Sequence, residues 1–250
     1  MKIAFFTDVH ANLPALSAAL DAIGREGVDA VYHLGDAVGV GPHPAECLDL
    51  LLATPRLHCV MGNHDAWFAH GLPDPRPPWM SEGEAAHHRW VHAQLDPELR
   101  RMVAAWPWAI DTSIGGAAIP FAHYALAGPA GGFAEIVRNP TPEDLDRLFP
   151  SAAGEVVAFG HHHPACELHG CKHYVNSGSL GCAPAAVARY AVLEATTAGH
   201  RLERRAVPYD DAELFQDFDR WGVPERDFLR AVMLGGRARW PSWACERRVS

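Results

Sequence analysis

The sequence predicts a mixed α/β (α+β) fold in which a mainly parallel sheet packs against a second sheet. Three short apolar runs, residues 2–7, 29–34 and 57–61, alternate with helical patterns. This alternation predicts parallel strands joined by right-handed crossovers. Residues 108–207 then change to short strand-like runs punctuated by Gly and Pro, which favours a further sheet supplied by the second half of the chain.

The composition supports a packed core and limits the possible partners. Of the 250 residues, 48% are hydrophobic and 20% are charged, so disorder as the general state is excluded. The net charge of −9 argues against non-specific nucleic-acid binding or binding to an anionic membrane. It does not exclude a phosphate substrate, because bound metal ions reverse the local field.

The helices can be placed from capping signals and periodicity. Asn12 suits an N-cap and Pro14 suits the first turn of a helix that runs to about Arg25. Other helical patterns cover residues 44–53, 82–105 with a break at 96–97, 141–149 and a pair within 210–234. We expect a single domain over residues 1–250, with a mostly helical insertion at 66–110 and a C-terminal helical tail at 210–250.

The six cysteines and the chain start indicate a cytoplasmic protein. No pair of cysteines has CxxC spacing, and a chain of this length does not need disulfides. Cys166 and Cys171 follow a histidine cluster, so a metal role stays open, although small buried residues are favoured. The apolar start is too short for a secretory signal, and no window reaches the ~18 apolar residues of a membrane span.

Four polar elements follow predicted strands and carry the chemistry. They are Asp8-x-His10, Gly35-Asp36, Gly62-Asn63-His64-Asp65 and Gly160-His161-His162-His163. Each element alone also suits an ordinary turn or a surface loop. Ligand sites in open parallel sheets form outside the carboxyl ends of the strands, so we expect the loops after the first three strands to converge on one edge.

In this order, the elements resemble the calcineurin-like metallophosphoesterase superfamily, whose pattern is D-x-H, G-D, G-N-H-[DE], H and G-H-x-H. Residues 8–16, 34–42 and 176–181 are similar to a bacterial branch of small phosphodiesterases of the YfcE type. The resemblance runs from residue 1 to about 207. It implies a four-layer αββα sandwich with a binuclear metal site at one sheet edge.

The resemblance also implies a role for each matching side chain. One metal ion would be held by Asp8, His10, Asp36 and His163. The other would be held by Asp36, Asn63, His123 and His161, with Asp36 bridging the two ions. His64 would be the catalytic histidine and would contact substrate together with Asn63.

The residue types suit hydrolysis of a phosphate ester. Two divalent ions clamp the attacking and leaving oxygens of an in-line displacement, and a water shared between them attacks phosphorus as hydroxide. Carboxylate and imidazole ligands suit Mn, Fe, Zn, Co or Ni, of which we favour Mn. A histidine such as His64 can protonate the leaving oxygen.

Some positions depart from the family pattern or have a second interpretation. Tyr124 follows His123 where the family has a small residue, so His123 is either a ligand or a core strand residue. Residues 37–41 lack the Asp-Arg-Gly of the protein phosphatases, which argues for a substrate bound mainly by metals, Asn63 and His64. Asp65 either orients His64 or anchors its loop.

The outer parts of the pocket are less constrained by the sequence. Trp67 is a candidate for stacking on substrate, with hydrophobic packing as the alternative. Asn12 is a candidate substrate contact, with its N-cap role as the alternative. We interpret His87, His88 and His92 as surface or rim residues. His162 fills the variable position of the last motif, so we expect it to point away from the metals or to touch substrate.

The leading hypothesis is a metal-dependent phosphoesterase that hydrolyses a small phosphate ester or nucleotide, with a phosphodiester favoured. One alternative is a dinucleoside-polyphosphate hydrolase with the same site. Another is a catalytically silent metal-binding scaffold for protein contacts, as in the retromer subunit of this fold. The complete ligand set and His64 favour an enzyme. The natural substrate and the oligomeric state stay open, and neither nucleic-acid nor membrane binding is expected.

Overall fold

Two five-stranded sheets form the centre of the computed structural model, which describes residues 1–128, 132–196 and 199–235. The order in the first sheet is β10 (Gly199–Pro208), β9 (Val187–Thr196), β1 (Lys2–Phe6), β2 (Ala30–His33) and β3 (Leu57–Cys59). The order in the second is β4 (Ala109–Ile114), β5 (Ala117–Ala122), β6 (Val156–Ala158), β8 (His173–Asn176) and β7 (Cys166–His169).

Parallel pairing in the first sheet follows the prediction. β1 pairs with β2 and β2 with β3, all in parallel. The second half of the chain supplies the second sheet, as expected, but its last two strands, β9 and β10, join the first sheet, because β9 pairs antiparallel with β1 through Ile3 and Leu193. That pairing places Ala191, Leu193 and Ala195 in the core between the sheets.

The helices begin and end close to the predicted positions. The break expected at 96–97 is real, since the Asp96 side chain accepts a hydrogen bond from Glu98 N at the start of a new helix. The helices are α1 (Leu13–Arg25), α2 (Pro44–Ala53), α3 (Asn63–His70), α4 (Glu82–Gln94), α5 (Pro97–Ala104), α6 (Pro142–Leu148), α7 (Ala212–Arg220) and α8 (Arg226–Phe228), the last continued by a π-helical turn at Leu229–Met233.

Three apolar layers hold the fold together as an αββα sandwich. Between the sheets, Phe5 packs on Phe121 beside the buried Leu193. On the outer face of the first sheet, Phe6 packs in one apolar cluster with residues of helices α1 to α5, such as Leu16 of α1. On the outer face of the second sheet, α6 packs around Tyr124, Phe149 and Tyr174, among others. The four-layer fold that the resemblance implied is therefore confirmed.

The expected helical segments are present where the structure describes them. The 66–110 segment contains most of α3 together with α4 and α5, and residues 212–233 form the closing helices. The end of the expected 210–250 tail, including Cys245, lies outside the described residues. Within the described ranges, none of the helices has the length and apolar character that a bilayer crossing requires.

The carboxyl-terminal ends of the central strands lie at one edge of the sandwich. β1, β2 and β3 run parallel, as do β5, β6 and β8 in the other sheet. A parallel bridge between Thr7, after β1, and Ser179, after β8, ties the two sheets together at that edge. All four sequence motifs therefore open onto the same place.

Candidate metal centre

Backbone hydrogen bonds between loops fix the positions of the polar side chains. Asp8 N donates to Gly35 O at 3.0 Å, and His10 N donates to Asp36 O at 2.9 Å. Gly160 N donates to His123 O at 2.8 Å, which joins the loop after β6 to the end of β5. The loops from both sheets thus form one hydrogen-bonded unit.

The same loops hold five motif residues, and further non-glycine residues such as Ala11, in the left-handed region of backbone space. Asp8, His10, Asp36, His161 and His163 have φ values between 50° and 69°. Each such conformation costs on the order of 1–3 kcal/mol and persists only where the surrounding structure enforces it. Strain of this kind collects at functional sites, and here it turns the side chains sharply inward from the strand ends.

One group of ligand atoms gathers around Asp8. His10 Nε2 and His163 Nε2 lie 3.0 Å apart. Asp8 Oδ1 lies 3.6 Å from the former and 3.5 Å from the latter. This carboxylate oxygen is buried and has no hydrogen-bond partner within the described ranges. Two imidazole nitrogens and an unpaired carboxylate oxygen therefore face one point.

A second group gathers around His123. Its Nε2 lies 3.3 Å from Asp36 Oδ2 and 3.1 Å from His161 Nδ1. The inward-facing atom of the Asn63 amide lies 3.2 Å from His123 Nε2, 2.9 Å from His161 Nδ1 and 3.3 Å from Asp36 Oδ2. Four polar atoms from four different loops thus converge on a second point.

Asp36 lies between the two groups. Its Oδ2, close to His123, is also 3.8 Å from His10 Nε2. Its Oδ1 accepts a hydrogen bond from His64 N at 2.9 Å, which orients the carboxylate. Gly62 makes this close approach possible, because a Cβ there would stand 2.2 Å from Asp36 Oδ1. The Asp36 carboxylate is therefore within reach of both groups of ligand atoms.

The protonation of His123 is set by a backbone carbonyl. His123 Nδ1 donates to Leu34 O at 2.7 Å, so a neutral ring keeps its lone pair on Nε2, the atom that faces the second group. A metal-binding histidine commonly donates its other N–H to an oxygen in this way. This contact favours the ligand interpretation of His123 over that of a plain core residue.

Burial and charge act against each other within the site. Burial lowers the pKa of His161 to about 3 and that of His163 to about 4, which keeps both rings neutral and able to ligate. Burial also acts to lower the pKa of His123, but the adjacent Asp36 outweighs it and raises that pKa to about 9. In the absence of another cation, the Asp36 carboxylate thus stabilises the protonated form of the adjacent His123 ring.

The residues present fit a pair of divalent metal ions. Nitrogen and oxygen donors are what Mn, Fe, Zn, Co and Ni accept. A cation bound beside Asp8 would give a partner to the unpaired Asp8 oxygen and to the two nitrogens of His10 and His163. A second cation would do the same for the ligand atoms around His123.

Asp65 anchors the loops that carry the ligands. Its carboxylate accepts hydrogen bonds from Asp36 N at 2.7 Å, Ala37 N at 2.9 Å and Gly62 N at 3.0 Å. Burial and the nearby Asp36 raise its pKa to about 7. Of the two roles considered from the sequence, anchoring is the one that these contacts display.

His64 lies at the edge of the centre, over a glycine. Its ring packs against those of His10, Trp67 and His88, with centroids 4.9–5.0 Å apart. A Cβ on Gly39 would stand 2.3 Å from His64 Nδ1, so only glycine leaves room for this ring position. Burial lowers the pKa of His64 well below its ordinary value.

The interpretation of His87 and His88 as surface or rim residues was wrong. They are 3% and 6% exposed, because α4 packs this pair against the loop after β2 and against α3. Val40 N donates to His87 Nε2 at 2.8 Å, and the His88 ring lies 4.7 Å from that of Trp67. His92 is exposed, as expected.

Asn12 is used as a structural residue. Its Oδ1 caps α1 by accepting a hydrogen bond from Ala15 N at 3.1 Å. Its Nδ2 donates to Gly181 O and to Tyr209 Oη, both at 2.9 Å. Both polar atoms of its side chain are thus used within the protein, and the suggested substrate contact of Asn12 stays a prediction.

Aromatic side chains line the opening, and one of them could not be placed from the sequence. Trp67 is half-buried beside His64 and lies 6.0 Å from the mostly exposed Trp79. On the other side, the Phe133 ring lies 5.2 Å from His123 and 5.5 Å from His161. The signal for Phe133 is weak, since it lies in an irregular segment after Tyr124.

Two further residues clarify the inventory of ligands. Cys182, which the sequence did not single out, is buried and lies with Sγ within 4.8 Å of ring nitrogens of His10 and His163. Its sequence signal was only the nearby Asn176-to-Gly181 segment. His162 points away from the centre, as expected, since Asn176 Nδ2 contacts its Nδ1 at 2.8 Å.

Comparison with known proteins agrees with this geometry. The model of the calcineurin-like phosphoesterase superfamily domain matches residues 1–198. The chain belongs to this superfamily, as the four motifs predicted. The uncharacterized protein MJ0912 of Methanocaldococcus jannaschii is 30% identical over 163 residues, which cover 64% of this chain and 62% of that protein. The match thus spans less than two thirds of that relative.

Two solved structures are similar over nearly the whole chain. The hypothetical protein PH1004 from Pyrococcus horikoshii OT3 aligns with a TM-score of 0.78 at 21% identity, covering 95% of this chain and 99% of that one. A metallophosphoesterase from Sphaerobacter thermophilus aligns with a TM-score of 0.70 at 25% identity, covering 93% and 98%. The first shows a shared fold, and the second also carries the superfamily's name.

Proposed function

We propose that the protein is a metal-dependent phosphoesterase that hydrolyses a small phosphate ester, with a phosphodiester as the favoured substrate. The observation that carries the proposal is the convergence of seven ligand side chains around Asp36, with His64 beside them. These ligands are Asp8, His10, Asp36, Asn63, His123, His161 and His163. Superfamily membership supports the same reaction class.

The chain's own residues position the reactants. Two divalent ions held by the seven ligands, with Mn²⁺ favoured, would supply positive charge for the phosphoryl oxygens and make a water molecule a better nucleophile. Asp36 keeps the two ligand groups together, and Asp65 holds the Asp36 loop in place. Asn63 and His64 contact the phosphate from the start of α3.

His64 stabilises the leaving group. Its Nδ1 lies against Gly39 and has no hydrogen-bond partner among the described residues, so we assign the proton of the neutral ring to Nε2. Water oxygen adds to phosphorus and the ester P–O bond breaks, while the Nε2–H of His64 donates a hydrogen bond to the departing oxygen and stabilises its negative charge. A proton released by the attacking water passes to that oxygen, and the His64 ring stays neutral throughout.

The surroundings favour a substrate of low charge. The side chains that stabilise the Asp8 and Asp36 carboxylates by charge are histidines and not arginines or lysines. Residues 39–41 are Gly, Val and Gly, where the protein phosphatases carry Asp-Arg-Gly. A singly charged diester needs less cationic support than a doubly charged monoester. Trp67, Trp79 and Phe133 provide aromatic surfaces for the organic groups of the ester.

A substrate panel tests the proposal. The Mn²⁺-loaded protein should hydrolyse bis-p-nitrophenyl phosphate faster than the monoester, and the activity should vanish with chelator and return with Mn²⁺. Dinucleoside polyphosphates in the same panel test the alternative anhydride reaction. Absence of turnover on all esters across Mn²⁺, Fe²⁺, Zn²⁺, Co²⁺ and Ni²⁺ would refute the enzymatic role and favour a scaffold.

A further inference from the structure

A second cluster of titratable side chains lies at the far end of the sandwich from the metal centre. β8 begins at His173 and ends at Asn176, and it is the Asn176 end that contacts the ligand loops. Glu167 and His169 are two residues apart on β7, and His169 pairs directly with His173 on β8. Residues two apart on a strand share a face, so all three side chains lie on one face of the second sheet.

The first sheet contributes a fourth member at the same place. His173 Nδ1 lies 3.1 Å from Nε2 of His200, which is near the start of β10. We call Glu167, His169, His173 and His200 the far-end cluster. Because β10 is an edge strand of the first sheet and β7 is an edge strand of the second, the cluster joins the two sheets.

Hydrogen bonding sets the protonation of the central histidine. His173 Nε2 lies 3.0 Å from Glu167 Oε1, a distance at which the ring N–H donates to the carboxylate. A neutral His173 then keeps its lone pair on Nδ1, the atom that faces His200. A carboxylate that fixes the tautomer of a histidine in this way is a common partner of metal-binding imidazole.

The spacing of the nitrogens suits coordination of one ion. Metal–nitrogen bonds to zinc are about 2.0–2.1 Å, so two ring nitrogens 3.1 Å apart can bind the same ion. The His169 ring stacks on His173 with centroids 4.1 Å apart. Ligand atoms of Glu167, His169 and His173 lie within 4.8 Å of one another. A small rotation of the more exposed His169 adds a further nitrogen.

The donor set selects among cations. Three imidazoles, one of them held by a carboxylate, suit Zn²⁺, Ni²⁺ or Cu²⁺ better than Mg²⁺ or Ca²⁺, which prefer oxygen. Arg204 Nε lies 3.4 Å from Glu167 Oε2 and offsets part of the carboxylate charge. His173 itself is only 8% exposed, so the central ligand is already desolvated and held in place.

We propose that the far-end cluster is a structural metal site that binds one borderline divalent ion, such as Zn²⁺, through imidazole nitrogens and links the β7–β8 hairpin to β10. The site is separate from the metal centre around Asp36, and it does not depend on the phosphoesterase proposal. Its expected effect is on the stability of the sandwich.

Zinc titration of the full-length, chelator-treated protein tests this site. The double variant His169→Gln/His200→Gln should bind one Zn²⁺ equivalent fewer than wild type by calorimetry. Added Zn²⁺ should raise its unfolding temperature less than that of wild type. The matched control is His58→Gln, which changes an exposed histidine on β3 and should bind as many equivalents as wild type.

A milder variant guards against misfolding of the double variant. Glu167→Gln keeps all three imidazoles and should weaken this one Zn²⁺ equivalent by about 10–100-fold. Equal Zn²⁺ stoichiometry in wild type and double variant, or unchanged affinity in Glu167→Gln, would overturn the proposal and leave the cluster as a hydrogen-bonded chain. Mn²⁺-dependent ester hydrolysis, measured in parallel, should be the same in all four proteins, which separates this test from that of the proposed function.

Discussion

At the scale of single residues, the site depends on how closely His64 and Asp36 are held together. His64 N donates to Asp36 Oδ1, so the histidine is tied to the Asp36 carboxylate through its backbone. This arrangement separates the two roles that we propose for neighbouring residues: Asn63 would hold metal, and His64 would stabilise the leaving oxygen.

Replacing His64 by alanine tests that separation. We expect His64→Ala to keep its Mn²⁺ stoichiometry and to lose about 10²–10³-fold in kcat, the usual contribution of a positioned hydrogen-bond donor to developing negative charge. Metal content and steady-state kinetics measure the two effects. His92→Ala, which removes an exposed histidine of α4, is the control and should behave as wild type. Loss of metal from His64→Ala would contradict the assignment.

Gly39 tests the position of the His64 ring. Gly39 has φ +81°, and an added Cβ would meet His64 Nδ1 at 2.3 Å, so Gly39→Ala must displace the ring. A displaced ring no longer reaches the leaving oxygen, which raises the activation free energy, and about 1.4 kcal/mol is enough for a tenfold effect on rate. We therefore expect kcat to fall at least about tenfold while metal binding is retained. Gly24→Ala is the matched control: with no neighbour within 4 Å inside α1, it should stabilise the protein by about 0.5–1 kcal/mol. Normal kcat in Gly39→Ala would refute the packing argument.

At the scale of elements, strand ends and helix starts carry the site. α1 starts at a loop whose residues lie in the left-handed region, and Asn12 joins that start to the loop at Gly181 and to Tyr209. α3 starts at Asn63, so its first turn presents both an amide and an imidazole to the centre. The elements are ordinary, and their junctions determine where the ligands point.

Asn12→Ala separates a capping role from a substrate role. The variant loses the α1 cap and two further hydrogen bonds, so we expect the free energy of unfolding to fall by about 1–2 kcal/mol. Urea unfolding measures the loss. Because the side-chain amide of Asn12 is already bonded to Ala15, Gly181 and Tyr209, we expect KM not to change. A large rise in KM with unaltered stability would show that the side chain reaches substrate after all.

At the scale of the whole molecule, the number of buried neutral histidines makes stability depend on pH. His33 is fully buried at the end of β2, and both ring nitrogens lack partners within the described part of the chain. Burial lowers its pKa to about 3, with a smaller effect from His123. The unfolded chain takes up this proton near pH 6.5, whereas the folded chain does not.

The stability that His33 contributes is therefore complete above pH 6.5 and is lost as the pH falls toward 3. The slope from one such group is at most about 1.4 kcal/mol per pH unit. His33→Phe removes the titrating group from its aromatic surroundings of Phe6 and Trp106. Urea unfolding in the presence of chelator should show that the free energy of unfolding falls less from pH 7.5 to pH 5.5 in the variant than in wild type. An equal loss in both proteins would exclude His33 as a source.

Much of the fold and site could be predicted because the signals are local. The parallel order of β1, β2 and β3 follows from strand–helix alternation, and the N-cap at Asn12 from its own side chain. The motif residues themselves converge as expected. What the sequence did not reveal depends on long-range packing: the pairing of β9 with β1, the burial of His87 and His88 on the inner side of α4, and the position of Phe133 near His123.

The most direct measurement of the central claim is a crystal structure of the Mn²⁺-loaded protein with anomalous scattering at the manganese edge. We expect two peaks, one beside Asp8, His10 and His163 and one beside Asn63, His123 and His161, with the Asp36 carboxylate between them. In Asp36→Asn both peaks should weaken. A single peak, or a pair that Asp36 does not touch, would refute a shared two-metal site.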